Sequence, residues 1–194
     1  FPSPETVSEF PGVCGRCEII PTGKYFTVIC DYAHTPDALK NVLEGLRECT
    51  KGKLTVLFGC GGNRDKGKRP LMAEAAANIA DFMIITSDNP RDEDPDSIIN
   101  GILNSQGAFV PSSSGGFHSS NTGVFRSGTT GKNVPCTAIT DRKQAIIYAL
   151  ENAVSAEVIV LAGKGHENYQ VLKNGKHIHF DEREIVQEWL SKKS

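Results

Sequence analysis

Short apolar, β-rich runs alternating with segments of helical periodicity constrain this chain more than any other feature. Tyr25 to Cys30, Leu54 to Phe58, Phe82 to Thr86, Thr137 to Thr140 and Val158 to Ala162 have the length and composition of buried strands. Between them, Leu39, Val42, Leu43 and Leu46 share a helix face after Pro36, and Leu71, Met72, Ala75, Ala76 and Ile79 form the apolar stripe of the next helix. Asp94-Pro95 reads as an N-cap with proline in the first turn of a third helix, whose buried face is Ile98, Ile99, Ile102 and Leu103. Asp141 and Gln144 have capping-box spacing for a fourth helix through Leu150. Val171 to Ile178 carries an Asn174-Gly175 turn and reads as a hairpin; a last helix, Glu182 to Leu190 with Asp181 as cap, turns Ile185, Val186, Trp189 and Leu190 inward. This order predicts an α/β fold: a Rossmann-like, mostly parallel sheet with helices on both faces and a C-terminal β-hairpin.

At 194 residues the chain is long enough for one domain with a sizeable core. Residues 104 to 133 interrupt the alternation with a stretch rich in Ser, Gly and Thr, and read as a flexible surface loop. Gly128-Thr129-Thr130-Gly131-Lys132 inside it looks like a nucleotide loop, but neither a preceding strand nor a following helix frames it. A net charge of -2 argues against a nucleic-acid binder driven by bulk electrostatics. No apolar run approaches the ~20 residues of a membrane span, and the N-terminus has no signal-peptide pattern, so the chain reads as cytoplasmic and without a membrane partner. It begins at Phe1 rather than Met, as a processed product or an excised piece would. The six cysteines lie mostly in or beside apolar runs and read as free thiols. Cys14-Gly15-Arg16-Cys17 has zinc-knuckle spacing, yet no second pair matches it, so no metal site is expected in this chain.

In open α/β sheets ligands gather at the carboxyl ends of the strands. Here those exits are Asp31 to Asp37, Gly59 to Pro70, Ser87 to Arg91, and Gly163 to Glu167, all rich in charge or glycine. The second holds four glycines and the cations Arg64, Lys66, Lys68 and Arg69 against Asp65, a local charge of +3. That composition suits an anion, because glycine admits close approach and the first-turn amides of the next helix point their positive ends outward. Gly62 to Lys68 matches a P-loop up to Arg69, which stands where a magnesium-coordinating hydroxyl is required. The loop then reads as an anion site of another kind, with a glycine turn carrying solvated basic residues as the alternative.

The motifs DYAHTPD, FGCGG-x-RDKGKRP, DNPR and AGKGHE at these exits together resemble the C-terminal domain of the Mur ligases, most closely the MurE type, from about Gly15 to the C-terminus apart from the Ser/Gly-rich loop. The resemblance implies a domain over residues 15–194, with 1–14 as a linker from a missing central domain. The family uses ATP and Mg2+ to turn the carboxylate of a UDP-sugar peptide into an acyl phosphate that an incoming amine attacks. The implied partners are meso-diaminopimelate, ATP and UDP-N-acetylmuramoyl-L-alanyl-D-glutamate, together with the N-terminal and central domains of the same chain. Phosphate, magnesium and catalytic sites belong to the central domain, so no catalytic residue is expected here and the fragment alone should not turn over.

Residue by residue, the resemblance puts amino-acid recognition on Asp88, Asn89, Pro90 and Arg91, with Arg64, Gly163 and Glu167 in the same pocket. A planar guanidinium at Arg91 suits a distal carboxylate, which diaminopimelate has and lysine lacks. Glu167 would take the ammonium at that end. Asp31 would accept from the ATP ribose, with Arg16 and His34 nearby; where the family often has Pro-Gly-Arg, this chain has Cys14-Gly15-Arg16. Alternatives remain a lysine-adding or other ligase of the superfamily, such as a folylpolyglutamate or cyanophycin synthetase, and a non-catalytic MurE-like assembly protein of plastids.

Overall fold

A computed structural model describes residues 13–103, 109–111 and 121–193. All but the end of the expected linker lies outside the described residues. The strands are β1 (Glu18–Ile20), β2 (Thr27–Asp31), β3 (Leu54–Phe58), β4 (Phe82–Thr86), β5 (Phe109–Pro111), β6 (Asn121–Arg126), β7 (Asn133–Ile139), β8 (Val158–Ala162), β9 (Tyr169–Val171) and β10 (His177–His179). The helices are α1 (Pro36–Cys49), α2 (Lys68–Ile79), α3 (Pro95–Leu103), α4 (Arg142–Glu151) and α5 (Glu182–Lys192). Eight strands form one sheet in the order β1-β2-β8-β3-β4-β7-β6-β5, and β9 and β10 form a separate antiparallel hairpin.

The five inner strands, β2, β8, β3, β4 and β7, are parallel, and β1, β6 and β5 flank them antiparallel. α1, α2 and α3 cover one face through Leu39, Leu43, Met72, Ala76 and Ile102. α4 and α5 cover the other through Ile146, Ala149, Val186 and Leu190. Side-chain caps start α3, α4 and α5 at the expected Asp94, Asp141 and Asp181, and Thr35 caps α1, whereas α2 has none. Thr35 accepts from Ala38 N, Asp141 from Gln144 N, Asp181 from Arg183 N, and Asp94 from Ser97 N. In the hairpin turn, Asn174 and Gly175 both have positive φ, as a type I′ turn requires.

Two expectations need correction. The segment 104–133 is not simply a loop: β5 and β6 lie within it, and β6 pairs with β7 along its whole length, from Asn121↔Ala138 to Arg126↔Asn133. β7 exposes an unpaired edge, and filling it outweighs the weak strand propensity of a Gly- and Asn-containing run. Residues 104–108 and 112–120 lie outside the described residues. The buried face of α2 is also rotated from the expected stripe: Met72, Ala73, Ala76 and Ala77 are buried together with Arg69, while Leu71 is 57% exposed. A helix this rich in alanine has little contrast between faces, so periodicity does not set its orientation.

Sheet order positions the site. Because β8 inserts between β2 and β3, the sheet runs β2-β8-β3-β4, and the four exits singled out by composition stand side by side along one carboxyl edge.

Candidate functional site

At that edge lies a cleft of ≈ 360 Å³, lined by residues from all four exits, including Tyr32, His34, Arg64, Asn89, Arg91 and Glu167. Gly61, Asp65, Lys68, Asp88 and Gly163 complete most of the wall. A larger recess of ≈ 930 Å³ lies beside α4 and the hairpin. Its charged side chains are already engaged: Arg142 with Glu182, Lys143 with Glu188, Glu151 with Lys193, Asp96 with Thr140, and Asp141 as a cap. The smaller cleft is the one with charges to offer.

The β4 exit loop is held rigidly. Gln170 Nε2 donates to the Asp88 carbonyl at 2.5 Å, Val171 N to Asn89 Oδ1 at 2.9 Å, Arg91 N to the Val171 carbonyl at 3.1 Å, and Asn174 N to Asp92 Oδ1 at 2.9 Å. The β9–β10 hairpin thus serves as a template for residues 88 to 92. Arg91 is fixed at φ 53, a left-handed conformation that a non-glycine residue keeps only when its surroundings impose it. Its Nη1 donates to the carbonyls of Gly62 at 3.0 Å and Asn89 at 3.4 Å, and it forms no ion pair among the described residues. Arg64 lines the cleft and has neither a hydrogen bond nor an ion pair among the described residues.

The glycine loop turns out to serve protein packing. A side chain at Gly62 would collide with the Pro90 carbonyl, and one at Gly61 would stand 2.7 Å from Arg91 Nη1. Gly62 N also donates to the Asn89 carbonyl at 2.9 Å. Of the four cations in the loop, Arg69 and Lys66 are taken by Glu93, at 2.9 and 3.5 Å. Arg69 is buried, and its guanidinium, followed by the Asn63 amide, holds the Glu93 carboxyl below its ordinary range. The residue that breaks the P-loop pattern is thus a clamp between the β3 and β4 exits. Arg64 and Lys68 remain at the cleft. Burial pushes the Cys60 thiol up to about 11, so it packs as a neutral group.

At the β8 exit, Gly163 has φ 112 and no atom within 4 Å of where a side chain would start, so it keeps the cleft open. Lys164 points the other way, fully buried, with Nζ at 3.4 Å from Asp88 Oδ1, 3.1 Å from Asn89 Oδ1 and 3.2 Å from Glu167 Oε2. Asn89 Nδ2 donates to the same Glu167 oxygen at 3.1 Å. Glu167 Oε1 makes no hydrogen bond among the described residues. Donors without carboxylate partners, Arg64 and Arg91, therefore line the same cleft as a carboxylate with a free oxygen.

Three predicted site residues do not line the cleft. Pro90 borders the larger recess, and its part is to shape the loop. Asp31 is buried beneath the site; Oδ2 accepts from Cys17 N at 2.8 Å and Oδ1 from Ala33 N at 2.7 Å, and the Cys17 thiol also hydrogen-bonds to this carboxylate. Arg16 lies over the Tyr32 ring, 4.9 Å from its centroid. His34 Nδ1 lies 2.9 Å from the Tyr32 carbonyl, with its ring edge-on to Tyr32 at 4.7 Å. Arg16, Tyr32 and His34 thus form one polar-aromatic rim. The run Gly128 to Lys132 is the turn region between β6 and β7; the amides of Gly128 and Thr129 hold Glu74. Sequence reasoning missed Lys164, Glu93 and Tyr32. Lys164 had a signal, a lone cation between two glycines directly after an apolar strand.

The chain belongs to the Mur ligase C-terminal domain family: the family model for the Mur ligase, glutamate ligase domain matches residues 15–165. Among its relatives, a UDP-N-acetylmuramoyl-L-alanyl-D-glutamate--2,6-diaminopimelate ligase of Caldanaerobacter subterraneus subsp. tengcongensis is 47% identical over 92% of this chain and 32% of its own length. One from Clostridium botulinum is 44% identical over 96% of this chain and 34% of its own. A solved ligase of the same description superposes with a TM-score of 0.74 at 36% identity, covering 97% of this chain and 34% of that one. The fold alone is shared with a UDP-N-acetylmuramate-alanine ligase from Thermotoga maritima, at 18% identity and a TM-score of 0.55 over 97% of this chain and 32% of that one. The chain spans about a third of the length of the relatives it matches.

Proposed function

We propose that this chain is the amino-acid-binding domain of an ATP-dependent ligase that joins meso-diaminopimelate to UDP-N-acetylmuramoyl-L-alanyl-D-glutamate in peptidoglycan synthesis. One observation carries the reading: Arg64 and Arg91, neither with a carboxylate partner, line a cleft that also presents the free oxygen of Glu167. A carboxylate and an ammonium on one carbon, the distal end of diaminopimelate, complement that pair of charges. Arg91 and Arg64 take the carboxylate with charge-assisted bonds, and the remaining Asn89 Nδ2 hydrogen adds a third donor. Glu167, with Asp88 behind it, takes the ammonium. Lysine offers this site no carboxylate, which would leave both guanidinium groups unanswered.

The domain's contribution to catalysis is positional. Holding the far end of the amino acid fixes where its reacting amine lies and replaces a bimolecular encounter with an oriented one. ATP supplies the phosphoryl group that activates the acceptor carboxylate. On this chain the Arg16–Tyr32–His34 rim fits an anionic, aromatic ligand, and the one acceptor position left on Asp31 fits a hydroxyl donor. No group of three or more potential metal ligands occurs among the described residues. No described helix is long and apolar enough to cross a membrane.

In the full-length protein, Arg91→Ala should raise the KM for diaminopimelate about 50-fold, the loss of a charge-assisted bond pair, and change the KM for ATP less than about twofold. Equal effects on both would overturn the reading, as would lysine competing as well as diaminopimelate. Absence of ligation by the intact full-length protein would favour a non-catalytic role.

A further inference from the structure

Lys164 has a geometry that packing alone does not call for. Its ammonium is fully buried, which disfavours the charged form unless acceptors surround it. Three acceptors do: Asp88 Oδ1, Asn89 Oδ1 and Glu167 Oε2, at 3.4, 3.1 and 3.2 Å, one for each N–H of an ammonium. Tyr169 and Phe180 stand with their ring centroids 5.9 Å from Nζ. Gly163 and Gly165, at φ 112 and 52, turn the chain on both sides of the lysine. An apolar side chain would fill this space without leaving water. What the ammonium adds is direction, since all three of its acceptors belong to side chains that line the cleft.

The network also settles which way the Asn89 amide faces. Oδ1 accepts from Lys164 Nζ and Val171 N, so Nδ2 must donate to Glu167 Oε2 and turn its second hydrogen elsewhere. Glu167 is then held through a single oxygen from two sides, by Lys164 at 3.2 Å and Asn89 at 3.1 Å, and the other oxygen stays free. Removing the ammonium leaves Glu167 with the Asn89 contact alone and Asn89 Oδ1 with the Val171 amide alone.

We propose that Lys164 is the positioning residue for substrate selection: by holding Asn89 and Glu167 from below, it presents the free Glu167 oxygen to the ammonium at the far end of the incoming amino acid. This rests on the proposal that the cleft binds that end. Lys164 touches no reacting atom. Its effect should therefore appear in how well the amino acid is chosen and held.

The test uses the full-length protein with Lys164→Met, which keeps the length and removes the charge, and Lys164→Gln as a second variant. For a folded variant, judged by thermal unfolding, the expected result is a KM for diaminopimelate raised about tenfold, with the KM for ATP and for the UDP-sugar dipeptide changed less than about twofold. Preference for diaminopimelate over 2-aminopimelate, which keeps the distal carboxylate but lacks the distal ammonium, should fall about fivefold or more. A merely structural role would not move that ratio. Unchanged diaminopimelate KM and preference in a folded variant, a parallel rise of all three KM values, or failure of both variants to fold would each overturn the proposal. Arg91→Ala in the same assay separates the two ideas: if it leaves the diaminopimelate KM unchanged, the cleft assignment itself fails, and if it raises KM while the Lys164 variants do not, only the role of Lys164 fails.

Discussion

Arg69 and Glu93 meet at 2.9 Å across the gap between the β3 and β4 exits, with the arginine buried and the glutamate also accepting from Asn63 N. The pair ties the β3 exit, which carries Arg64, to the β4 exit, which carries Arg91. Glu93→Ala would leave a buried guanidinium unpaired and should destabilise the fold by about 3 kcal/mol, roughly 6–12 °C in Tm for a domain of this size. The effect should depend on pH. The folded-state pKa of Glu93 is lowered below 4.5, so its stabilisation is complete above the unfolded value and lost as pH falls through the folded one. The gap in Tm between wild type and variant, measured by thermal unfolding, should be wide at pH 7 and narrow progressively in strong acid.

Arg64 provides the opposite case. It has no partner among the described residues, so Arg64→Ala should leave stability within about 0.5 kcal/mol of wild type. In the full-length protein the same change should raise the KM for diaminopimelate about tenfold or more. Denaturation and steady-state kinetics on one preparation test both halves.

Gly62→Ala should damage the site from a distance. A methyl group there meets the Pro90 carbonyl, so the β4 exit must shift and loosen the 2.9 Å bond from Gly62 N to the Asn89 carbonyl. We expect the KM for diaminopimelate to rise about tenfold and stability to fall by about 1–3 kcal/mol, as overpacking typically produces. Kinetics and urea denaturation read the two effects.

Arg142 and Glu182 form a fully buried pair at 2.8 Å that joins α4 and α5 to the carbonyls of Ser87 and Ala162 at two strand exits. Arg142→Met alone should destabilise by about 3–5 kcal/mol, because it strands a buried carboxylate, and adding Glu182→Leu should restore much of the loss. Urea denaturation of the two variants checks the sign of that recovery.

Much of this architecture was legible in the sequence because each inner strand is a short run of apolar residues. Ala162 and Phe58 end such runs, and the charged exits follow at once. β6 was not legible, because what makes Asn121 to Arg126 a strand is the open edge of β7, a tertiary fact. The face of α2 was lost among alanines of equal size. At the site, the motifs identified the residues that line the cleft, Arg64, Asn89, Arg91 and Glu167. They could not separate Arg69 from Lys68, one buried against Glu93 and the other at the cleft on the His34 carbonyl, since a cation reads the same in sequence whichever partner it takes.

The hairpin that templates residues 88 to 92 lies about 80 positions further along the chain. On the proposed reading of the cleft, selectivity on this scaffold is therefore not a portable tetrapeptide. Moving Asp88 to Arg91 into a relative without the matching β9 contacts would transfer the letters and leave behind the left-handed turn that aims the arginine, so exchange of specificity between such enzymes requires both segments to travel together.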